Sequence, residues 1–142
     1  MRTYKEGKEV DFNLKEGMLG HVEIIVSEKN TAMAFASGGV DVFATPMMVG
    51  IMEKAALSAV DGFLPEGYAT VGTHVDVSHI SATPLGMKVW ASAELIKIKG
   101  KALTFKVEAF DEVEKIGEGT HDRFIISLEK FTEKTKGKLD RR

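Results

Sequence analysis

Hydrophobic positions along this chain follow two periods, and the switches between them predict its elements. Leu19 to Val26 alternates, with Val22, Ile24 and Val26 on one side and Glu23 opposite, which predicts a first strand. Ser27 to Val40 is small and polar and ends in Ala36-Ser37-Gly38-Gly39, a flexible loop able to act as a lid. The period then becomes helical. Met47, Met48, Ile51, Met52, Ala55, Ala56, Ala59 and Val60 fall on one broad face, and Val49 and Leu57 extend it around the cylinder. Thr45 reads as the N-cap of this helix and Pro46 as its first residue, where fixed φ and a missing N–H cost nothing. Turn residues follow at Asp61-Gly62 and Pro65-Glu66-Gly67, and alternation resumes from Ala69 to His79, with Val71, Thr73, Val75, Val77 and His79 on one face. Three more strands are predicted at Met87 to Lys99, Ala102 to Val113 and Ile116 to Phe131, the last with Phe124, Ile126 and Leu128 on one face. Lys99-Gly100-Lys101 and Glu114-Lys115 join them as antiparallel hairpins.

A strand, one long apolar helix and four further strands make an α+β layout. A helix so apolar all round needs cover on several sides, and a curved antiparallel β-sheet wrapped around it supplies that cover, which is the hot-dog fold. Edge strands and leftover apolar surface predict a homodimer, with higher assembly possible. The 142 residues suit a single domain spanning 1–142, with a polar lead-in at 1–12 expected to fray and a basic tail at 132–142 expected to be solvated or frayed.

Charge and composition narrow the partners. With 19 basic and 21 acidic residues the chain has no polyelectrolyte character, so nucleic acid is not expected as a partner. The absence of cysteine excludes disulfides, thiol nucleophiles and thiolate metal sites, and fits a cytoplasmic location. No run is apolar enough for a signal peptide or a membrane span, so no membrane association is expected.

Candidate chemistry begins with Glu53, a carboxylate on the edge of the apolar helix face, between Val49 and Leu57. Desolvation there demands a partner or a task, although a rim position or a basic partner would also satisfy it. His79 sits at the lip of an apolar strand face, before the turn Ile80-Ser81-Ala82-Thr83-Pro84. It is placed for proton transfer, or for simple packing. Gly72, read on the opposite side of that strand, lets a ligand or backbone approach closely, or marks a bulge. His74 and His79 project to opposite strand faces and form no two-histidine site, and His21 and His121 lack ligand-spaced neighbours, although Asp122 follows His121; no metal is expected. Gly117, Gly119, His121 and Arg123 share a face of the last strand; Arg123 could meet a phosphate or carboxylate, or form an ordinary ion pair.

Taken together, Val42-Phe43-Ala44-Thr45, Met48-Val49-Gly50, Met52-Glu53, Gly72-Thr73, His79, Ser81-Ala82-Thr83-Pro84, Gly119-Thr120-His121, Arg123 and Leu128-Glu129-Lys130-Phe131 resemble the fluoroacetyl-CoA thioesterase-like branch of the hot-dog thioesterases. The resemblance implies hydrolysis of acyl-CoA thioesters by a threonine, glutamate and histidine set, falling on Thr45, Glu53 and His79. It implies substrate contacts at Gly72 and Arg123, and no cofactor beyond the coenzyme A carried by the substrate. The fluoroacetyl-specific enzyme carries phenylalanines just before its helix, where this chain has Ala36-Ser37-Gly38-Gly39-Val40 with Phe35 displaced, so fluoroacetate selectivity does not carry over and a short acyl-CoA is the default. A hydratase or dehydratase acting on the acyl chain, or a non-catalytic acyl-CoA binding module, are the competing readings.

Overall fold

A computed structural model of the chain describes residues 2–5, 8–36 and 38–142. Two short strands, Arg2–Lys5 (β1) and Lys8–Asp11 (β2), pair antiparallel. The main sheet contains Leu19–Ile25 (β3), Tyr68–His79 (β4), Lys88–Lys99 (β5), Ala102–Asp111 (β6) and Lys115–Ser127 (β7). These five run in the order β3-β5-β6-β7-β4, every neighbouring pair antiparallel. The long helix, Thr45–Val60 (α1), crosses one face of the sheet, and a second helix, Leu128–Lys136 (α2), follows β7 directly.

Helix α1 touches all five strands of the main sheet. Strands stand about 4.8 Å apart, so five of them span roughly 19 Å, nearly twice the diameter of a helix with its side chains, about 10–12 Å. Only a curved sheet brings every strand to one helix. The contact is closest at Gly20 of β3, where an added Cβ would lie 1.8 Å from the backbone carbonyl oxygen of Ala55. Met48, Ile51, Met52, Ala55, Ala56, Ala59 and Val60 of α1 meet Val89, Ala91, Ala93, Leu95, Leu103, Phe105, Val107, Ala109, Ile116 and Ile125 from the strands in one continuous core. Alternate positions of β5 and β6 are buried, as the period of two requires. Leu57, placed by periodicity on the apolar side of α1, is 39% exposed. With half-buried Val49 and Glu53 it forms a stripe that the sheet covers only in part.

Both ends of the chain differ from expectation. Phe12, inside the lead-in expected to fray, is fully buried and packs edge-on against Tyr68 with ring centroids 5.0 Å apart. The alternation read as strand through Phe131 stops at Ser127, whose hydroxyl accepts a hydrogen bond from the Lys130 N–H and caps α2. The tail is solvated, as one of the two expectations had it, but helical rather than frayed, through α2 and a 3₁₀ segment at Gly137–Arg141, none of whose residues is buried. The four residues from Leu128 to Phe131 also suit a first helical turn, and the serine cap decides for the helix.

Candidate active site

The first turn of α1 departs from the reading of Thr45 as its cap. Ala44 occupies the N-cap and accepts the N–H groups of Met47 and Met48, so Thr45 is the first helical residue and Pro46 the second. The threonine hydroxyl is thereby released from the backbone and lies 2.7 Å from Nδ1 of His79. Burial pushes the His79 imidazole below its ordinary pKa of 6.5, against a smaller upward pull from the backbone of Ser81. Its Nε2 is buried with no hydrogen-bond partner among the described residues. The pair opens on a cavity of about 300 Å³ lined by Ala32, Val42, Phe43, Ile80, Ser81 and Ala82.

The loop strands on either side of this pair are stapled together. Phe43 N–H donates to the Thr83 carbonyl, and Val42 bridges to Pro84. The buried Thr83 hydroxyl donates to Asp111 Oδ2 at 2.8 Å, and Asp111 Oδ1 accepts from the N–H groups of Val113 and Glu114. Burial pushes the Asp111 carboxyl up, but those three donors outweigh it and hold the group below the usual carboxylate range. The Ser81-Ala82-Thr83-Pro84 motif thus sets the distance between the start of α1 and the end of β4.

A second cluster forms farther along the same helix. Strand β4 pairs Gly72 with Arg123 and His74 with Asp122, leaving Thr73 as the extra residue of a bulge. The bulge reverses the alternation, so Gly72 faces α1 together with Val77 and His79, rather than away from them as strict alternation predicts. Around Gly72 a built Cβ would meet Glu53 Oε2 at 3.0 Å, His121 Cε1 at 3.1 Å and Arg123 Nη1 at 3.5 Å. Arg123 is only 5% exposed, which excludes the reading of a surface ion pair. Its Nε donates to Thr70 Oγ1 at 2.8 Å, its Nη2 to the Thr70 carbonyl at 2.9 Å, and its Nη1 lies 3.1 Å from His121 Nε2. Thr70 in turn donates through its hydroxyl to Asp61 Oδ1 at 2.6 Å and through its amide to Asp61 Oδ2. Among the described residues no group of three or more His, Cys, Asp or Glu side chains could hold a metal ion.

Comparison with known proteins places these clusters in context. The family model for fluoroacetyl-CoA-specific thioesterases matches residues 26–129, most of the chain, including both clusters. The chain belongs to the fluoroacetyl-CoA-specific thioesterase family. A fluoroacetyl-CoA thioesterase of Streptantibioticus cattleyicolor is 45% identical over 98 residues, covering 69% of this chain and 70% of that protein. A solved structure of a fluoroacetyl-CoA thioesterase superposes with a TM-score of 0.83 at 36% identity, over 89% of this chain and 98% of the other. At 21% identity, a hot-dog-like protein from Thermanaerovibrio acidaminovorans shares the fold alone, with a TM-score of 0.82 over 91% of this chain and 97% of its own.

Glu53 lies eight residues beyond Thr45, a rise of roughly 12 Å along the helix, and seven strand residues separate Gly72 from His79, on the order of 20 Å. The Thr45–His79 pair and the Glu53–Gly72–Arg123 cluster share a face and do not touch. All five of these residues stood out in the sequence; His121 was placed on the face of Arg123 and Thr83 within the Ser81-Ala82-Thr83-Pro84 motif without a role for either, and Thr70, Asp61 and Asp111 were not among the candidate site residues. What had not been used was that this face continues into the apolar Ile125, which marks His121 as inward-facing.

Proposed function

We propose that this protein hydrolyses short acyl-CoA thioesters as a homodimer, each site combining the Thr45–His79 pair of one copy with the Glu53–Gly72–Arg123 cluster of a second. The observation that carries this reading is the pair itself: a threonine hydroxyl at the positive end of a long helix, 2.7 Å from a histidine whose other ring nitrogen is buried and unpartnered, facing a small cavity. The cavity volume suits a small acyl group rather than a long chain. The second copy is supported by the chain's open side. Edge strand β4 is exposed from Gly72 to Asp76, Val75 among them, and lies beside the partly covered Val49–Glu53–Leu57 stripe.

Water attacks the thioester carbonyl and gives its proton to the Glu53 carboxylate as the new C–O bond forms. The C–S bond then breaks, and the departing thiolate takes the proton held by Glu53, relayed through His79 and Thr45, which returns Glu53 to carboxylate and leaves His79 neutral. Burial keeps His79 neutral at physiological pH, ready to pass a proton in either direction. A cytoplasmic location fits an acyl-CoA substrate.

The test is thiol release from acetyl-, propionyl-, isobutyryl- and fluoroacetyl-CoA, followed by mixing two inactive variants, Glu53→Gln and His79→Ala. Random exchange makes half the dimers mixed, each with one intact composite site, so activity returns to about a quarter of wild type. No recovery between variants shown to exchange subunits rejects the shared site.

A further inference from the structure

His121 is the buried titratable group that the proposed reaction leaves without a task. It is 1% exposed, on the face of β7 turned toward α1, two residues from Arg123. Its Nδ1 lies 2.8 Å from the carbonyl oxygen of His74, an acceptor only, so Nδ1 carries the proton. The neutral ring then presents a bare lone pair at Nε2, and 3.1 Å away stands Nη1 of Arg123, a donor only. The two contacts determine each other: the β4 carbonyl selects the tautomer, and the tautomer makes the acceptor that the guanidinium requires. Arg123 has no carboxylate within ion-pair distance among the described residues, and its other contacts are the hydroxyl and carbonyl of Thr70. His121 therefore aims the one guanidinium nitrogen that reaches the Gly72 notch, where Glu53 Oε2 also points.

We propose that His121 is a positioning residue, a neutral clamp that holds the Arg123 guanidinium at the Gly72 notch beside Glu53 and lets go when it is protonated. The proposal rests on the reading of that notch as half of the thioesterase site. Protonation at Nε2 removes the acceptor and sets a second cation against the guanidinium at 3.1 Å. The charged groups facing the ring are Arg123 and Asp122 on its own strand and Glu53 from α1; β4 presents the His74 carbonyl, and β6 presents the apolar Phe105 opposite His121. Burial, with the repulsion of Arg123, outweighs the upward pulls of the His74 carbonyl, Glu53 and Asp122, so the ring titrates below 6.5. The clamp is closed at neutral pH and opens in acid.

The test joins a tautomer measurement to kinetics on the intact protein. Long-range proton–nitrogen NMR on histidine-labelled protein should show the His121 ring with Nδ1 protonated and Nε2 bare at pH 7.5; a protonated Nε2 overturns the clamp whatever the enzyme does. His121→Gln keeps an oxygen acceptor near the Nε2 position and cannot titrate. It should retain kcat/KM for thiol release within about threefold at pH 7.5, and its fall in acid, which then reports His79 without the clamp, should be smaller than that of wild type. Folded His121→Leu should lose tenfold or more, and wild-type kcat/KM in that variant overturns the proposal. If His121→Leu does not fold, a wild-type acid limb in His121→Gln overturns it instead. A wild type that releases no thiol from any acyl-CoA rejects the thioesterase reading, and the NMR tautomer still decides the clamp.

Discussion

Replacing Gly72 with alanine separates the site from the fold. The added Cβ would lie 3.0 Å from Glu53 Oε2 and 3.1 Å from His121 Cε1, about 0.4 and 0.3 Å inside the 3.4 Å at which ordinary contact begins. Glu53 is the tip of a flexible side chain and yields. His121 is tied at both ring nitrogens and does not, so the carboxylate absorbs most of the displacement. Gly72 has no left-handed backbone angle, so alanine suits its conformation, and exchanging glycine for alanine in a strand recovers about 0.5–1 kcal/mol of backbone entropy. That gain roughly offsets the compression, leaving stability within about 1 kcal/mol of wild type. Catalysis has no such offset. A misplacement of 1 Å costs on the order of a hundredfold, so a shift of about 0.4 Å, with the methyl standing in the notch, lowers kcat/KM roughly tenfold. Thiol release from acetyl-CoA, run beside urea unfolding of the same preparations, reads both quantities. A folded variant with kcat/KM within twofold of wild type would refute the assignment of the notch to the site.

Other substitutions probe the remaining contacts. Thr45→Val removes the hydrogen bond to His79 at an exposed position, so activity should fall tenfold or more with little change in unfolding midpoint, while Thr45→Ser retains most activity. Thr83→Val strips a buried carboxylate of one donor and should destabilise by about 1–3 kcal/mol in denaturant titration; an unchanged midpoint would show that the staple carries no stability. Gly20→Ala drives a Cβ into the backbone of α1, where no side chain can yield, and should cost about 3 kcal/mol or more, or prevent soluble expression. The acid response has a defined sign. His79 and His121 both have folded pKa values below 6.5, so between 6.5 and those values the unfolded chain binds more protons. Stability is therefore complete above 6.5 and is lost as pH falls through the folded values, with Asp111 adding the same trend below 3.8. Unfolding free energies that rise between pH 7.5 and 5 would contradict this.

The types and order of β3, α1 and β4 to β7 were legible because periodicity is a local property, whereas β1, β2 and α2 were not read. The apolar residues of α1 and the alternation of β3 to β7 each follow from the direction in which successive side chains leave the backbone. A helix apolar on most of its circumference also demanded a curved sheet, since nothing flatter could cover it. The residues that matter chemically were legible as types in exposed or edge positions, and as a pattern resembling one family. Their grouping was not.

Three decisions belonged to tertiary structure. Whether Thr45 caps the helix or bonds His79 depended on Ala44 taking the cap, which is set by the Thr31–Phe43 and Val42–Pro84 bridges rather than by propensity. Which face Gly72 shares with His79 turned on a single unpaired residue, Thr73, and a bulge leaves no trace in alternation until the partner strand reveals the missing pair. His121 shared a face with Arg123 in the sequence, but the His74 carbonyl that fixes its tautomer lies across the β4–β7 pair and left no sign along the chain. The sequence alone determined the period of α1 and of β3 to β7, and with it the long helix and the main strands. Hydrogen bonds between segments distant in the chain have no local signature, so only the fold could decide which polar groups meet.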